Sequence, residues 1–169
     1  MWKALSQWLK PDLMVDRIDT IPLTLFAQWN IKGVIMDVDN TLLSKTASEP
    51  QQSVKEWIEI LKEQVSIVLL SNNIPSRIRR ASDPLELPYI AWTIKPWSYY
   101  FRKALKKLQL SSDEVCVIGD QLFTDVLGGK ILGTKTIYVL PIDLHHEMLW
   151  TRGMRYLEKK VIRAWTNNL

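Results

Sequence analysis

The stretch Val34-Ile35-Met36-Asp37-Val38-Asp39-Asn40-Thr41-Leu42-Leu43 decides how this chain is read. An apolar run leads into two aspartates separated by one position, and a threonine follows in a turn marked by Asn40. The pattern predicts a short buried strand that carries Asp37 and Asp39 to its carboxyl end. In an open parallel sheet, ligands bind outside the carboxyl ends of the strands, so chemistry belongs there. An aspartate so placed can attack phosphorus while a second one handles the proton. The plainer alternative is a turn rich in Asp and Asn that only ends a strand.

Outward from this stretch, strand and helix patterns alternate. Strands are expected at 33–38, 66–71, 89–93, 114–119 and 134–140. Between them fall helical patterns at 51–64, with Val54, Trp57, Ile58 and Leu61 on one face, and at 98–109, with Phe101, Leu105 and Leu108 inward. Pro75 opens a short basic helix through Arg80, and 122–132 reads as another helix. The alternation predicts an α/β fold: a doubly wound parallel sheet of about five strands with helices on both faces. A chain of 169 residues fits one domain. Residues 1–31 are read as a helical lead-in, 32–141 as the catalytic core and 142–169 as a basic amphipathic C-terminal helix. Connections within the core are short, so no cap domain is expected and the site should lie open to large substrates.

Polar clusters follow three further strands. Ser71-Asn72-Asn73 offers a hydroxyl and amides to a phosphate, and Lys95-Pro96 offers a fixed positive charge. Gly119-Asp120-Gln121-Leu122-Phe123-Thr124-Asp125 offers carboxylates to a divalent cation. In this order, Asp37-Val38-Asp39-Asn40-Thr41, Ser71, Lys95 and Gly119-Asp120 with Asp125 resemble the four motifs of the haloacid dehalogenase superfamily. A closer resemblance links the longer motifs, with Thr136-Ile137-Tyr138-Val139-Leu140-Pro141-Ile142 and the early Lys10-Pro11-Asp12, to the cap-less phosphatidylglycerophosphate phosphatases and their bacterial relatives.

The resemblance implies a Rossmann-like core and a phosphatase mechanism. Asp37 is then the nucleophile that forms an aspartyl-phosphate, and Asp39 protonates the leaving alcohol and later activates water. Ser71 and Lys95 hold the phosphoryl oxygens, Thr41 supports the phosphate loop, and Asn72 helps frame it. Asp37, Asp120 and the Asp39 backbone carbonyl are expected to bind Mg²⁺. Asp125 orients metal-bound water or Lys95, or caps a helix. The acid at position 39 favours hydrolysis, since the superfamily's ion pumps carry Thr there and its dehalogenases lack the acid.

Composition narrows the partners. With 47% hydrophobic and 24% charged residues the chain is an ordinary globular protein, not a disordered one. A net charge of +4 suits an anionic partner: phosphorylated substrate, acidic lipid or nucleic acid. The single Cys116, in an apolar run, excludes an internal disulfide framework and reads as core. No apolar run is long enough to span a bilayer, and the N-terminus lacks a signal-peptide pattern. The expectation is a cytoplasmic protein, peripheral at a membrane surface.

Trp150, Met154, Leu157, Val161 and Trp165 form an apolar stripe opposite Arg152, Arg155, Lys159 and Arg163. That helix, with Trp2, Leu5, Trp8 and Leu9, either lies in a lipid interface, packs on the core or meets another subunit. Trp92 and Trp97 flank Lys95, at the site's edge or, for Trp92, in the core; Trp57 reads as core and His145 and His146 as surface residues. The leading substrate is phosphatidylglycerophosphate, an anionic phospholipid. A soluble or nucleic-acid phosphomonoester is the alternative, and a non-catalytic phosphate-binding module the remote one.

Overall fold

A computed structural model describes residues 2–145 and 149–166. Its strands are β1 (Leu13–Val15), β2 (Gly33–Met36), β3 (Ser66–Leu70), β4 (Tyr89–Ile90), β5 (Val115–Gly119) and β6 (Lys135–Val139). Its helices are α1 (Trp2–Trp8), α2 (Thr24–Gln28), α3 (Gln52–Lys62), α4 (Pro75–Leu85), α5 (Ser98–Leu108), α6 (Leu127–Leu132) and α7 (Leu149–Thr166). The strands make one sheet in the order β1-β6-β5-β2-β3-β4, and every pairing is parallel. The expected α/β architecture is present, with one strand more than the pattern predicted.

The apolar runs of β2, β3 and β5 lack polar alternation because both sheet faces are covered. Side chains alternate between two cores. Val34, Met36, Ile67, Leu69, Cys116 and Ile118 face α3, α4 and the 18–31 segment, with Trp57 buried among them. Ile35, Val68, Leu70 and Val117 face α5 through Phe101 and Ala104. The chain winds from β2 to β3 in one direction and from β5 to β6 in the other. The switch point therefore falls between β2 and β5, where ligands of such sheets bind.

The sixth strand, β1, comes from the segment read as a helical lead-in. It is only three residues long, too short for a periodicity signal. A side chain sets its register: Asp12 Oδ2 accepts the Thr136 N–H at 2.9 Å and its hydroxyl at 3.0 Å. Lys135 and Lys130 donate to the same carboxylate at 3.0 and 3.1 Å. Helix α4 also runs further than expected, through Pro84 to Leu85. The 122–132 helix begins as a π turn over Leu122–Val126 before α6.

Helix α7 departs most from the sequence expectation. Of the three placements left open for the apolar stripe, Val161 and Trp165 take the one on the core: both are buried, and the Trp165 indole donates to Ser6 O of α1 at 2.8 Å. Leu157, however, is 45% exposed, while Arg155, expected on the solvated basic face, is buried. Arg155 donates to both the backbone carbonyl and the Oδ2 of Asp120, and to Glu158 Oε2 at 3.1 Å. Glu158 Oε1 in turn accepts the Leu122 N–H at 2.7 Å. The helix is rotated from its hydrophobic stripe because this ion-pair group, rather than Leu157, takes the inward position. The Trp2, Leu5 and Trp150 side chains and His146 lie outside the described residues; Leu9 is buried, Trp8 is 46% exposed and His145 is exposed. The terminal helices thus pack on each other and on the core. Among the described residues, no helix is long and apolar enough to cross a membrane.

Two stability measurements follow from this packing. Burial pushes the Asp12 carboxyl up, but the Lys135, Lys130 and Thr136 hydrogen bonds outweigh it and hold it at about 2, against an ordinary 3.8. A depressed folded value stabilises at pH above the unfolded one and is lost as pH falls through the folded one. Asp12→Asn should therefore cost about 1 kcal/mol at neutral pH after allowance for solvent screening. The deficit should vanish between pH 4 and 2, as read by urea unfolding across pH. Arg155→Met leaves two carboxylates buried without their cation, and should lower unfolding stability by about 3–5 kcal/mol.

Candidate active site

Asp37 is the residue after β2, and it continues the ladder by donating its N–H to Ile118 O at 2.9 Å. The chain then turns tightly. Leu42 N–H reaches Val38 O at 2.9 Å, and Asn40 adopts a left-handed conformation (φ 63°) that asparagine tolerates better than most residues. The turn brings Thr41 Oγ1 to 3.3 Å from both Asp37 Oδ2 and Asp120 Oδ1. Thr41 therefore lies between the two carboxylates rather than beside them.

Asp120 follows β5 directly and is wholly buried. Gly119, before it, has a structural reason to lack a side chain: a Cβ there would sit 2.4 Å from Asp125 Cγ. Asp125 is held in that niche by the Gln121 N–H at 3.2 Å and by Lys95 Nζ at 2.6 Å. Lys95 also donates to Asp37 Oδ1, so one ammonium joins the two carboxylates. Asn72 positions the Lys95 loop, its Oδ1 accepting the Thr93 hydroxyl at 2.8 Å and the Lys95 N–H at 3.0 Å. Its amide oxygen is thus engaged with the protein's own loop. Ser71 is buried beside it, its Oγ accepting the Asn73 N–H at 3.2 Å.

Carboxylate oxygens of Asp37, Asp120 and Asp125 all lie within 4.8 Å of one another. Asp39, expected among the metal residues through its backbone carbonyl, turns its carboxylate away from this cluster. Its Oδ2 accepts from Asn73 Nδ2 at 2.6 Å and its Oδ1 from Arg77 Nε at 2.6 Å. Arg77 also reaches Lys45 O at 2.6 Å and so ties the Asp39 loop to α4.

Electrostatics follow from this crowding. Burial pushes the Asp37 carboxyl up to about 6 although Lys95 opposes it, and Asp125 and Asp39 push the same way as burial. Burial also raises Asp120 well above the ordinary carboxylate range, with Arg155 opposing. Burial alone would lower Lys95, but Asp125 and Asp37 outweigh it and keep the ammonium charged. Clustered acids in a low-dielectric pocket attract further positive charge. An all-oxygen donor set of this kind suits a hard divalent cation.

Sequence reasoning named Asp37, Asp39, Thr41, Ser71, Asn72, Lys95, Asp120 and Asp125, and all eight gather at the carboxyl end of the sheet. It missed Arg77 and Arg155. The second had a readable sign: Glu158 is the sole acid in the basic stretch 149–166, and an arginine stands three residues before it.

A family model described as mitochondrial PGP phosphatase matches residues 4–86, and a HAD-hydrolase-like model matches residues 93–141. A probable phosphatase of Bacillus subtilis, YqeG, is 35% identical over 161 residues, covering 95% of this chain and 93% of that protein. The mitochondrial phosphatidylglycerophosphatase of Saccharomyces cerevisiae is 23% identical over 147 residues, 77% of each chain. Among solved structures, the cobalt-bound deoxy-D-mannose-octulosonate 8-phosphate phosphatase of Haemophilus influenzae superposes with a TM-score of 0.54 at 15% identity. That superposition covers 80% of this chain and 90% of the other, and it shows the shared fold. With the acid cluster at the sheet's switch point, these likenesses place the chain in the haloacid dehalogenase superfamily, as a phosphatase grouped with YqeG and the phosphatidylglycerophosphate phosphatases.

Proposed function

We propose that this protein is a magnesium-dependent phosphatase, a single domain without a cap, that converts phosphatidylglycerophosphate to phosphatidylglycerol through an aspartyl-phosphate. The observation that carries the reading is the buried Asp37–Lys95–Asp125 group at the carboxyl ends of β2 and β5. Likeness to phosphatidylglycerophosphate phosphatases supports the substrate.

In this reading an Asp37 oxygen attacks phosphorus, and the bond from phosphorus to the glycerol oxygen breaks. Asp39 gives its proton to the departing alkoxide. Asp39 then takes a proton from water, which attacks phosphorus and releases Asp37 and inorganic phosphate. Arg77 and Asn73 hold both Asp39 oxygens and so fix the orientation of the carboxyl group that would serve the leaving alcohol. Lys95 neutralises charge on the phosphoryl oxygens while tethered by Asp125. Ser71 donates its hydroxyl to the same oxygens. Asp37, Asp120 and the Asp39 carbonyl would hold Mg²⁺, with Asp125 close to them. Bound there, the ion would screen the repulsion between the Asp37 carboxylate and the phosphate dianion.

Phosphate release from phosphatidylglycerophosphate in mixed micelles, against glycerol 3-phosphate and a 3′-phosphorylated DNA, tests the assignment. The expected result is preference for the lipid, lost on chelation of Mg²⁺ and in Asp37→Asn. Equal turnover of the soluble or DNA phosphate would overturn the lipid substrate and leave the chemistry standing. Gly119→Ala should push Asp125 away from Lys95 and lower turnover on the order of a hundredfold, as expected for a misplacement of about 1 Å, while the protein stays folded by circular dichroism.

A further inference from the structure

The loop that carries Lys95 is built inside out. Thr93 and Lys95 are buried, whereas Trp92, Ile94 and Trp97, with Tyr99 in the first turn of α5, are 64%, 60%, 69% and 66% exposed. Trp92 has a left-handed backbone (φ 55°), an uncommon and costly conformation for so bulky a residue. The loop is pinned from its inner side by Thr93 N–H to Ser71 O at 3.2 Å, Trp92 N–H to Asn73 O at 3.1 Å and the Asn72 contacts already described. A turn from Ile94 O to Trp97 N–H at 3.0 Å closes it. The apolar side chains are therefore held outward on a fixed frame, and a surface that engages them has little loop ordering to overcome.

Charge identifies that surface. From Leu87 to Ser112 the sequence contains no carboxylate. Immediately after the loop, α5 exposes Arg102, Lys103, Lys106 and Lys107, three of which line a groove beside the edge strand β4. Tryptophan and tyrosine rings favour the headgroup level of a bilayer, and lysines behind them are drawn to anionic lipid. An apolar concavity near the site, a cavity of about 410 Å³ beside Thr41, carries Asp16, Asp19 and Glu49 as well as Arg17 in its lining and has the wrong sign. In the terminal segments, Leu9, Val161 and Trp165 are committed to the core.

We propose that the Trp92–Trp97 loop and Tyr99 at the start of α5, with the lysine face of that helix behind them, dock the protein on an anionic lipid bilayer. The proposal rests on the lipid-phosphate reading above and deepens it. Docking by this loop sets Lys95 at the headgroup layer, so the phosphate reaches the site without extraction of the lipid.

Flotation with phosphatidylcholine vesicles, with and without phosphatidylglycerol, reads the docking in the absence of substrate. Wild-type protein should float with the anionic vesicles alone. Trp92→Ala/Trp97→Ala should abolish flotation and lower turnover of vesicle-borne phosphatidylglycerophosphate, with p-nitrophenyl phosphate hydrolysis unchanged. Lys103→Gln/Lys106→Gln/Lys107→Gln should weaken binding on the order of a hundredfold at low salt, and by less as salt rises. Absence of flotation, or flotation unchanged by the aromatic substitutions, overturns the proposal. So does a fall in oligomer size on substituting the tryptophans, which would make the loop a contact between copies of this chain. If the wild type hydrolyses the lipid in micelles yet never floats, docking fails and the substrate stands; flotation without lipid hydrolysis gives the converse.

Discussion

The ammonium of Lys95, shared between Asp37 and Asp125, is the interaction on which the rest of the site depends. Bringing several carboxylates into a buried space is costly, and each raises the affinity of the others for protons. A fixed cation between two of them lets both remain anionic close together. Its placement explains the neighbouring sequence. Asn72 holds the lysine's loop, Gly119 makes room for Asp125, and Thr41 lies between Asp37 and Asp120. None of these roles depends on a side chain's hydrophobicity; they depend on reach and on the exclusion of atoms.

A second cation does comparable work from outside the sheet. Arg155 takes the backbone carbonyl and one carboxylate oxygen of Asp120, while Thr41 addresses the other carboxylate oxygen. The fork fixes the carboxylate's rotation and leaves its second oxygen turned toward Asp37. Glu158 extends the arrangement to the first amides of the π turn that leads to Asp125. Helix α7 is therefore attached to the site through polar contacts as well as through Val161 and Trp165.

Much of this was legible in the sequence, for physical reasons that differ by residue. β2, β3 and β5 were readable because strands buried on both faces need uninterrupted apolar runs. The aspartates, Ser71 and Lys95 were readable because strand ends in such sheets are where ligand-binding groups collect. β1 was not, because three residues carry no period and its register depends on Asp12 meeting Thr136 across 124 positions. The inward face of α7 was misjudged because hydrophobic spacing cannot see a buried arginine whose partner is on another element. The exposed ring surface at 92–99 was legible only in part: Trp92 and Trp97 could be placed at the edge of the site beside Lys95, but Trp92 read as easily as core, and Ile94 and Tyr99 carried no signal of exposure.

The attachment of α7 also imposes an order of events during synthesis. Asp120 and its partner Arg155 are separated by 35 residues, all of them made after the central strands β2, β3 and β5. At translation rates of 5–20 residues per second, the ribosome needs about 2–7 s to cover that distance. For that interval the nascent chain can hold a nearly finished sheet while Asp120 waits for its counter-charge. The centre therefore receives its second cation only after all six strands of the sheet have been made, and a chain cut before α7 would have those strands without the cation that aligns Asp120.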